Sequence, residues 1–525
     1  QHVLRLDATP PAEWGERFVL MGQFQRGLLS THAGNFKDWN GQAYAWFPQV
    51  DVSRLRQHVR LGTDLQSGQG RLRLWTDIAR GDWAGGMADL DLTQVRVRLA
   101  PDLEPLGFAQ ISGRVSGQQS ANGWSLATRQ LAFVSDQGLV WPGGNVSAQY
   151  RQGFGNTSGK GEVHGEQLDL QALREVALRL PLPERWHTPL ANHAVAGQVR
   201  QLQLNWEGPT DAMRQYQGKI DVDALHLQSL PATGARPAGV RAVQLSAQFN
   251  QQGGQANIGM PEGGSLSWPG ILEEDSLTLQ QLQTELRWQI KDNALSQLQW
   301  KAQLANPDLQ GQWQGQWHAS PQGTGLGVLD LQGQVSQAQA ARVHRYLPTV
   351  LPASVRQYVR EAIVKGSYSG VQIKIKGEID RIPFAHPQEG VFRFAGRLND
   401  VEFDYMPASL LPRGSTAWPR LHGLSGLLVF DRQGMKLSDA KARAGDAKTG
   451  LQLQAIQAQI PDMAQQAVLD VSAENKGPAT QVLGLVQKSP IDKLLGSALH
   501  DAQASGHVQT RFKLNIPLLA SHNTK

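Results

Sequence analysis

Apolar residues recur at every second position in short segments along the whole chain. In the clearest of these segments, Val371, Ile373 and Ile375 alternate with a glutamine and two lysines. Successive side chains of a β-strand point to opposite faces of its sheet, so such a segment has one apolar face and one polar face. The pattern therefore predicts many strands, each of which needs a cover for its apolar face.

Turn-forming residues separate the alternating segments at fairly regular intervals. Asn122 and Gly123 form one such pair, and glycine also occurs in the breaks at residues 142–145, 251–254 and 431–434. Strands that are joined by short turns pair in antiparallel fashion. The sequence thus predicts a mostly β fold built on an antiparallel sheet.

The length of the chain favours an extended sheet over one compact body. A single core rarely serves more than about 250 to 300 residues. This chain has 525 residues and no long linker rich in serine, glycine or proline. We therefore expect a long, twisted antiparallel sheet that curls into an elongated hydrophobic groove. Alternation alone does not distinguish this groove from a closed sandwich, in which a second sheet covers the apolar faces.

A few short helices are expected among the strands. Residues 354–365 carry apolar side chains on one face and end at Gly366, a typical helix stop. A second helix is predicted over residues 490–500, because Ser489 and Pro490 have the order of a cap residue and a first-turn proline and an apolar stripe follows. Residues 170–180 and, more weakly, 52–61 show the same periodicity. Each helix is expected to plug or cap the sheet.

Charge and cysteine content exclude several functions. Charged residues make up 18% of the chain, the net charge is +5, and the basic residues are spread over the polar strand faces. Nucleic-acid binding requires a clustered basic stripe, so we expect no nucleic-acid partner. Cysteine is absent, which excludes disulfides and thiolate chemistry. The sequence begins at Gln1 without an apolar span of about 20 residues, so we expect a part of a longer protein.

No catalytic or metal-binding motif is found. The HExxH, GxSxG and Walker A motifs are missing, and residues 445–450 only superficially resemble a phosphate loop. Asp221, Asp223 and the acidic turn at residues 273–275 could hold a cation, but solvated carboxylates are the simpler interpretation. The 14 histidines show no ligand spacing. We expect a non-enzymatic protein without catalytic residues, metal or cofactor, and disfavour a hydrolase with dispersed carboxylates.

The tryptophans allow two interpretations. The chain has 15 of them although only 7% of its residues are aromatic. Exposed rings could stack on sugars, which would indicate a glycan-binding module. Trp206, Trp288, Trp313 and Trp317 nevertheless fall in register with the apolar positions, so we expect them on the apolar faces.

An apolar groove suits the acyl chains of lipids, with the head groups left in water. Burial of each methylene group is worth about 0.8 kcal/mol, so one chain gains several kcal/mol without a specific contact. The predicted lining residues are Leu72, Leu74, Val95, Val97, Leu202, Leu204, Val243, Leu245, Leu286, Trp288, Val371, Ile373, Ile375, Phe392, Phe394, Val401, Phe403, Phe512 and Leu514.

The order of short motifs in the last third of the chain resembles a known family. Tyr-Leu-Pro at 346–348, Gly-Glu-Ile at 377–379, Ile-Pro-Phe at 382–384, Lys-Gly-Pro at 476–478 and Ile-Pro-Leu at 516–518 follow one another. This set resembles the YhdP branch of the AsmA-like (AsmA/TamB/YhdP) envelope lipid-transport proteins of Gram-negative bacteria. The preceding part of the chain looks like the same family with lower specificity.

The resemblance implies intermembrane phospholipid transport by a periplasmic protein that is anchored to the inner membrane and leads lipid toward the outer membrane. The family's anchoring segment is absent from this chain, so membranes would be reached through flanking segments, and other envelope proteins could meet the groove ends. Residues 1–340 would form a groove segment, and residues 341–525 an AsmA-like C-terminal-type region. The alternative is an envelope scaffold or a glycan-binding, adhesin-like β protein with a closed core.

Overall fold

Most of the chain forms strands of an antiparallel sheet. The computed structural model describes residues 2–12, 15–26, 39–52, 64–101, 103–155, 157–180, 184–209, 212–231, 235–320, 323–411, 416–465 and 467–517. Among the described residues, strands account for 63% and helices for 11%. The 27 strands described there are assigned to one sheet, and every described register is antiparallel. The predicted mostly β, antiparallel fold is confirmed.

Two compact units divide the chain, Gln1–Asn257 (unit 1) and Ile258–Lys525 (unit 2). The sequence predicted two regions, residues 1–340 and 341–525. Their boundary falls inside unit 2, and the division into these regions stays a prediction. Unit 1 contains β1 (His2–Ala8), β2 (Phe18–Arg26), β3 (Trp39–Asp51), β4 (Asp64–Ala79), β5 (Asp82–Arg98), β6 (Leu106–Ser120), β7 (Gly123–Ser135), β8 (Val140–Trp141), β9 (Asn145–Arg151), β10 (Lys160–Asp169), β11 (His193–Glu207), β12 (Gln215–Ser229) and β13 (Gly239–Asn250). After β14 (Gly253–Met260), unit 2 contains β15 (Ser265–Ser267), β16 (Ser276–Thr278), β17 (Gln281–Lys291), β18 (Ala294–Ala305), β19 (Leu309–His318), β20 (Val328–Gln339), β21 (Ile363–Glu378), β22 (Gly390–Phe403), β23 (Leu421–Asp431), β24 (Gly434–Ala444), β25 (Leu451–Ile460), β26 (Val468–Pro478) and β27 (His507–Pro517).

A line of β-bulges crosses five consecutive strands of unit 2, β21 to β25. Gly366, Asp400, Gly423, Asp439 and Ala455 have positive φ angles of 112°, 50°, 64°, 51° and 49°. The strand register shifts beside each of them. A bulge bends its strand and increases the local twist. The aligned bulges therefore bend the sheet along a line, which we call the crease of unit 2.

The core of unit 2 lies at this crease. Leu398 and Val401 flank Asp400 in the sequence, and both are at most 5% exposed. The other members of the cluster include residues adjacent to the remaining bulges, because bending a strand brings the apolar side chains on either side of the bend together. The buried cluster consists of Ala340, Leu398, Val401, Leu424, Leu437, Ala440, Ile456 and Ala473.

Unit 1 has a crease of the same kind. Gln94, Gln130, Gln167, Ala224 and Ala242, in five of its strands, have φ angles between 50° and 59°. The buried cluster beside them consists of Leu92, Val95, Leu106, Phe108, Phe133, Trp141, Leu168, Ala172, Val199 and Val222.

The helices are short. In unit 1, α1 (Leu170–Ala177) is capped by Asp169, whose carboxylate accepts a hydrogen bond from the Ala172 N–H at 2.8 Å, and Ala172 is fully buried in the cluster. It confirms the helix predicted over 170–180 and covers the crease, as a plug would. The next helix is α2 (Glu184–Asn192). The helix that was weakly predicted at residues 52–61 lies outside the described residues, except for Val52.

Two other predicted helices are shorter than expected. In unit 2, α3 (Ala353–Ala362) ends three residues before the predicted stop. Ile363 instead starts β21 opposite Phe403, because β-branched residues such as Ile363 and Val364 favour strands. After α4 (Ala479–Gln487), which the sequence did not predict, α5 (Ile491–Leu494) covers only the start of the predicted segment 490–500.

Two glycine-to-alanine changes in unit 2 should have opposite effects on stability. A Cβ atom on Gly366 would lie 2.6 Å from the Cα of Val401, at a φ of 112° that L-residues rarely adopt. We expect Gly366→Ala to lower the free energy of unfolding by about 3 kcal/mol. Gly484 lies inside α4 with nothing within 4 Å of its Cβ position, so Gly484→Ala should raise stability by about 0.5 to 1 kcal/mol. Urea denaturation of both variants measures the sign of each change in the free energy of unfolding. Equal changes would contradict the structural role of Gly366 in the crease.

Candidate functional site: an open apolar sheet face

One face of unit 2 carries rows of apolar side chains across β17 to β22. In one row, Leu331 lies opposite Ile375, which lies opposite Phe392. In the next row, Ile373 lies opposite Phe394. Directly opposed residues of an antiparallel pair project to the same face. The register therefore places four predicted lining residues on one shared face, together with Leu331, which was not predicted. The sequence alone predicted only which face each residue takes within its own strand.

This apolar face is only half covered. Val371, Ile373 and Ile375 are partly exposed, whereas Gln372 and Lys374 between them are exposed. The inner face of a closed sandwich is packed to the density of a protein core, and its central side chains lose nearly all contact with water. In the two rows above, the apolar side chains are all partly exposed, and burial of that degree is found on this face at residues such as Leu282, Val335 and Leu398. The half exposure indicates a face that can still bury more apolar surface.

The predicted lining residues fall into three groups. Leu72, Val95, Val243 and Val401 are 9%, 7%, 4% and 2% exposed, so they are core residues that no ligand can reach without rearrangement. Leu514, on the edge strand β27, is 48% exposed. The remaining 14 are partly exposed, as an open lining requires, namely Leu74, Val97, Leu202, Leu204, Leu245, Leu286, Trp288, Val371, Ile373, Ile375, Phe392, Phe394, Phe403 and Phe512.

Pairs of an aromatic residue and a glycine on the apolar face were missed by the sequence reasoning. In unit 2, Trp300 lies directly opposite Gly315, and Trp313 lies directly opposite Gly333. Both tryptophans are partly exposed and share the face of the apolar rows. Trp313 is thus on the face that its alternation predicted. The glycine partner is visible only once the register between strands is known.

The opposite face of the same strands is polar. Gln303, Gln312, Gln334 and Gln372 form one cross-strand row, and the neighbouring rows carry charged residues. Lys376 pairs with Asp330 at 3.2 Å on this face. Two clefts of about 300 Å³ each are lined largely by residues of these polar rows. Val335 and Val371 also line one cleft, and Trp300 also lines the other.

The acidic turn at residues 273–275 holds helices rather than a cation. Glu273 accepts hydrogen bonds from Arg356 and Arg360 of α3, and Glu274 pairs with Arg345 of the 3₁₀ helix Ala340–Tyr346 at 3.3 Å. Arg345 also pairs with the buried Asp308.

Tyr346 completes this network. Its hydroxyl donates to Asp308 at 3.0 Å and accepts from the Asn306 amide at 2.7 Å. Burial raises the pKa of Tyr346 to about 12, so its hydroxyl stays protonated at neutral pH. The network fixes the helices at the strand ends of unit 2.

The other acidic candidates are also ion-paired. Asp221 lies 3.6 Å from Lys219, and Asp223 lies 3.0 Å from Arg200. Among the residues that the structure describes, no three His, Asp or Glu side chains are grouped so that they could hold a metal ion. Within the same described ranges, no helix combines the length and apolar character needed to cross a membrane.

The fold and this site define an antiparallel β-sheet protein with a partly open apolar face. The chain belongs to the YhdP protein family, whose family model matches residues 2–525. The intermembrane phospholipid transporter YhdP of Escherichia coli (strain K12) is 26% identical over 194 residues, which are 37% of this chain. The match spans 14% of the length of that relative. No solved structure matches the chain.

Proposed function

We propose that the chain is a non-enzymatic segment of a conduit for intermembrane phospholipid transport. Acyl chains would move along the apolar face, across the periplasm, between the inner and outer membranes. The observation that carries the proposal is the continuous, half-exposed apolar face of β17 to β22. Membership of the YhdP family and the name of the Escherichia coli relative support phospholipid as the cargo.

The energetics of such a face suit transport better than tight binding. Each methylene group gains about 0.8 kcal/mol on burial, wherever along the rows it lies. A lipid can therefore shift along similar neighbouring rows without losing much binding energy. We propose that the creases curl the sheet of each unit, so that the apolar face becomes the wall of a groove whose open side leaves the head groups in water.

We also propose a location for the protein. It would lie in the periplasm, attached to the inner membrane through a segment outside this sequence. Phospholipid is the ligand, and other envelope proteins would meet the ends of the conduit. Among the described residues of β17 to β22, the apolar rows carry no charged side chain that could act on the lipid.

Photo-crosslinking tests the proposal residue by residue. A photoreactive amino acid at Ile373 or Phe394 should trap phospholipid in the full chain, and mass spectrometry of the extracted lipid would identify it. The same amino acid at Gln372 or Lys374, on the polar face, is the matched control and should trap much less. Equal trapping on both faces would overturn the proposal. No lipid at any of the four positions would favour the closed scaffold.

Lipid loading should depend little on ionic strength or head-group charge. The apolar rows contain no ionisable side chain, so binding should rest on burial of acyl chains. We expect loading with phosphatidylcholine and phosphatidylglycerol to agree within about twofold between roughly 50 and 500 mM NaCl, although the Debye length falls severalfold over that range. Quantification of bound lipid by mass spectrometry checks this. A steep loss at high salt would instead indicate head-group binding by charged residues.

A further inference from the structure

Aromatic rings lie directly on glycines of the paired strand in both units. A Cβ atom placed on Gly315 would lie 2.4 Å from Cζ2 of Trp300, and one on Gly333 would lie 2.7 Å from Cδ1 of Trp313. Carbon atoms in contact normally stand about 3.5 to 4.0 Å apart. Each ring therefore occupies space that exists only because the opposing residue has no side chain.

Unit 1 repeats the arrangement. Trp206 lies opposite Gly161 and Phe249 lies opposite Gly218. The Cβ positions of these glycines are 2.0 Å and 2.4 Å from the nearest ring atoms. Two directly opposed pairs in each unit show that the arrangement recurs along the chain.

The consequence is a flat lining. A ring that rests on a glycine lies down on the sheet, whereas a ring beside a larger residue has to tilt away from it. An alanine at Gly315 or Gly333 would push the ring outward by about 1 Å to restore normal contact distances. The displaced ring would then project into the space above the apolar rows.

We infer that these glycine–aromatic pairs set the clearance above the apolar face and thereby determine which acyl chains pass. The inference rests on the proposed function and adds a specificity to it. With flat rings, the face accepts bulky chains, such as methyl-branched chains, although less readily than straight saturated ones. Raised rings still admit a thin straight chain but exclude a branched one. Gly315 and Gly333 are therefore specificity-determining residues that act through Trp300 and Trp313.

A purely structural role makes a different prediction. Aromatic rings also protect the exposed backbone of a strand glycine and pin its register. In that case Gly333→Ala would lower stability, but the protein that remains folded would bind branched and straight chains in unchanged proportion. The ratio of the two bound lipids therefore separates the alternatives, because it does not depend on the fraction of folded protein.

The experiment uses the full chain and one population of vesicles. Dioleoyl phosphatidylcholine vesicles carry equal small amounts of dipalmitoyl and diphytanoyl phosphatidylcholine, so both probes experience the same membrane. Bound lipids are extracted and quantified by mass spectrometry. The variants are Gly333→Ala, Gly315→Ala, Trp313→Leu and the double variant of Gly333→Ala with Trp313→Leu. Gly477→Ala is the matched control, since its Cβ position meets nothing closer than 3.5 Å and no ring.

We expect the wild type to take up both probes, and Gly333→Ala and Gly315→Ala to lower the ratio of diphytanoyl to dipalmitoyl lipid by about 10-fold. Gly477→Ala should leave the ratio unchanged. The double variant should restore it to within about twofold, because the ring that blocks the path is gone. If the glycine variants do not fold, Trp313→Leu alone should raise the ratio.

Several results would overturn the inference. An unchanged ratio in folded Gly315→Ala and Gly333→Ala would overturn the inference and leave the proposed conduit intact. A lowered ratio that the double variant does not restore would also overturn it, since the glycine would then not act through the ring. An unchanged ratio in Trp313→Leu has the same meaning. Uptake of neither probe by the wild type overturns the proposed function itself, and the inference with it.

Discussion

Replacing Ile373 with aspartate should abolish lipid loading while leaving the protein folded. Ile373 lies in the middle of β21 on the apolar face, opposite Gly333 and Phe394. A carboxylate there would stand in the path of the acyl chains and lose its hydration whenever a lipid passes. An aspartate in contact with hydrocarbon costs about 3 kcal/mol, which corresponds to roughly a 100-fold loss of loading.

The same substitution should be mild for the fold because Ile373 is only partly buried. Without lipid, the new carboxylate remains in contact with water, so the cost reduces to the lower strand propensity of aspartate and some lost packing, about 1 kcal/mol. We therefore expect the circular dichroism spectrum of Ile373→Asp to match that of the wild type. The thermal midpoint should fall by only a few degrees.

Lys374→Asp is the matched control, one residue away on the polar face. Lys374 is exposed and lies opposite Arg393, so an aspartate there gains a favourable neighbour. Loading should stay within about twofold of the wild type. Bound phospholipid is measured by extraction and mass spectrometry after incubation of the full chain with vesicles. Normal loading of Ile373→Asp, or an equal loss in both variants, would show that the apolar face is not the lipid path.

The division of each strand into two faces could be predicted from the sequence because it depends only on neighbouring residues. Ile373 and Lys374 face opposite ways in any strand, whatever the strand pairs with. How deeply a residue is buried depends on the whole sheet. Val401 alternates as regularly as Phe403, yet it is 2% exposed because the bulge at Asp400 directs it into the crease. Alternation predicted the face of both residues but not this difference.

The creases themselves could not be predicted. Glycine is the residue that tolerates positive φ, and Gly366 and Gly423 could have been suspected on that ground. Asp400 and Asp439 carry only a weaker signal, since aspartate tolerates positive φ better than most residues. Ala455 carries none and is an ordinary strand residue by its neighbours. Their conformation is imposed by the register with the adjacent strands, and the packing of the buried cluster offsets the local cost.

The aromatic–glycine pairs illustrate the same limit. The alternation placed Trp313 on the apolar face, but its partner Gly333 is 20 positions further along the chain. Only the pairing of β19 with β20 brings them opposite each other. A shift of one residue in this register would turn one member of the pair to the polar face. Information of this kind is carried by the packing of the whole sheet and not by any one segment.

Phe384→Ala should be among the most destabilising single substitutions in unit 2. Phe384 lies between β21 and β22 and is fully buried. Its ring packs on Gly377 and Gly390, whose Cβ positions are 2.5 Å and 2.6 Å from ring atoms. Loss of a buried phenylalanine costs about 3 to 5 kcal/mol. We expect the upper part of that range, because glycines have no side chains that could move in to fill the cavity.

The connection that holds Phe384 is also tied to the neighbouring turn, which limits its relaxation. Asp380 accepts a hydrogen bond from the Leu326 N–H at 2.7 Å and so links the β21–β22 connection to the β19–β20 turn. Phe154→Ala is the control, since Phe154 is 91% exposed and its loss should change stability by less than about 0.5 kcal/mol. Urea denaturation of both variants measures the difference. A loss below about 1 kcal/mol for Phe384→Ala would show that the glycine-lined site can collapse, contrary to the rigidity that the paired strands impose.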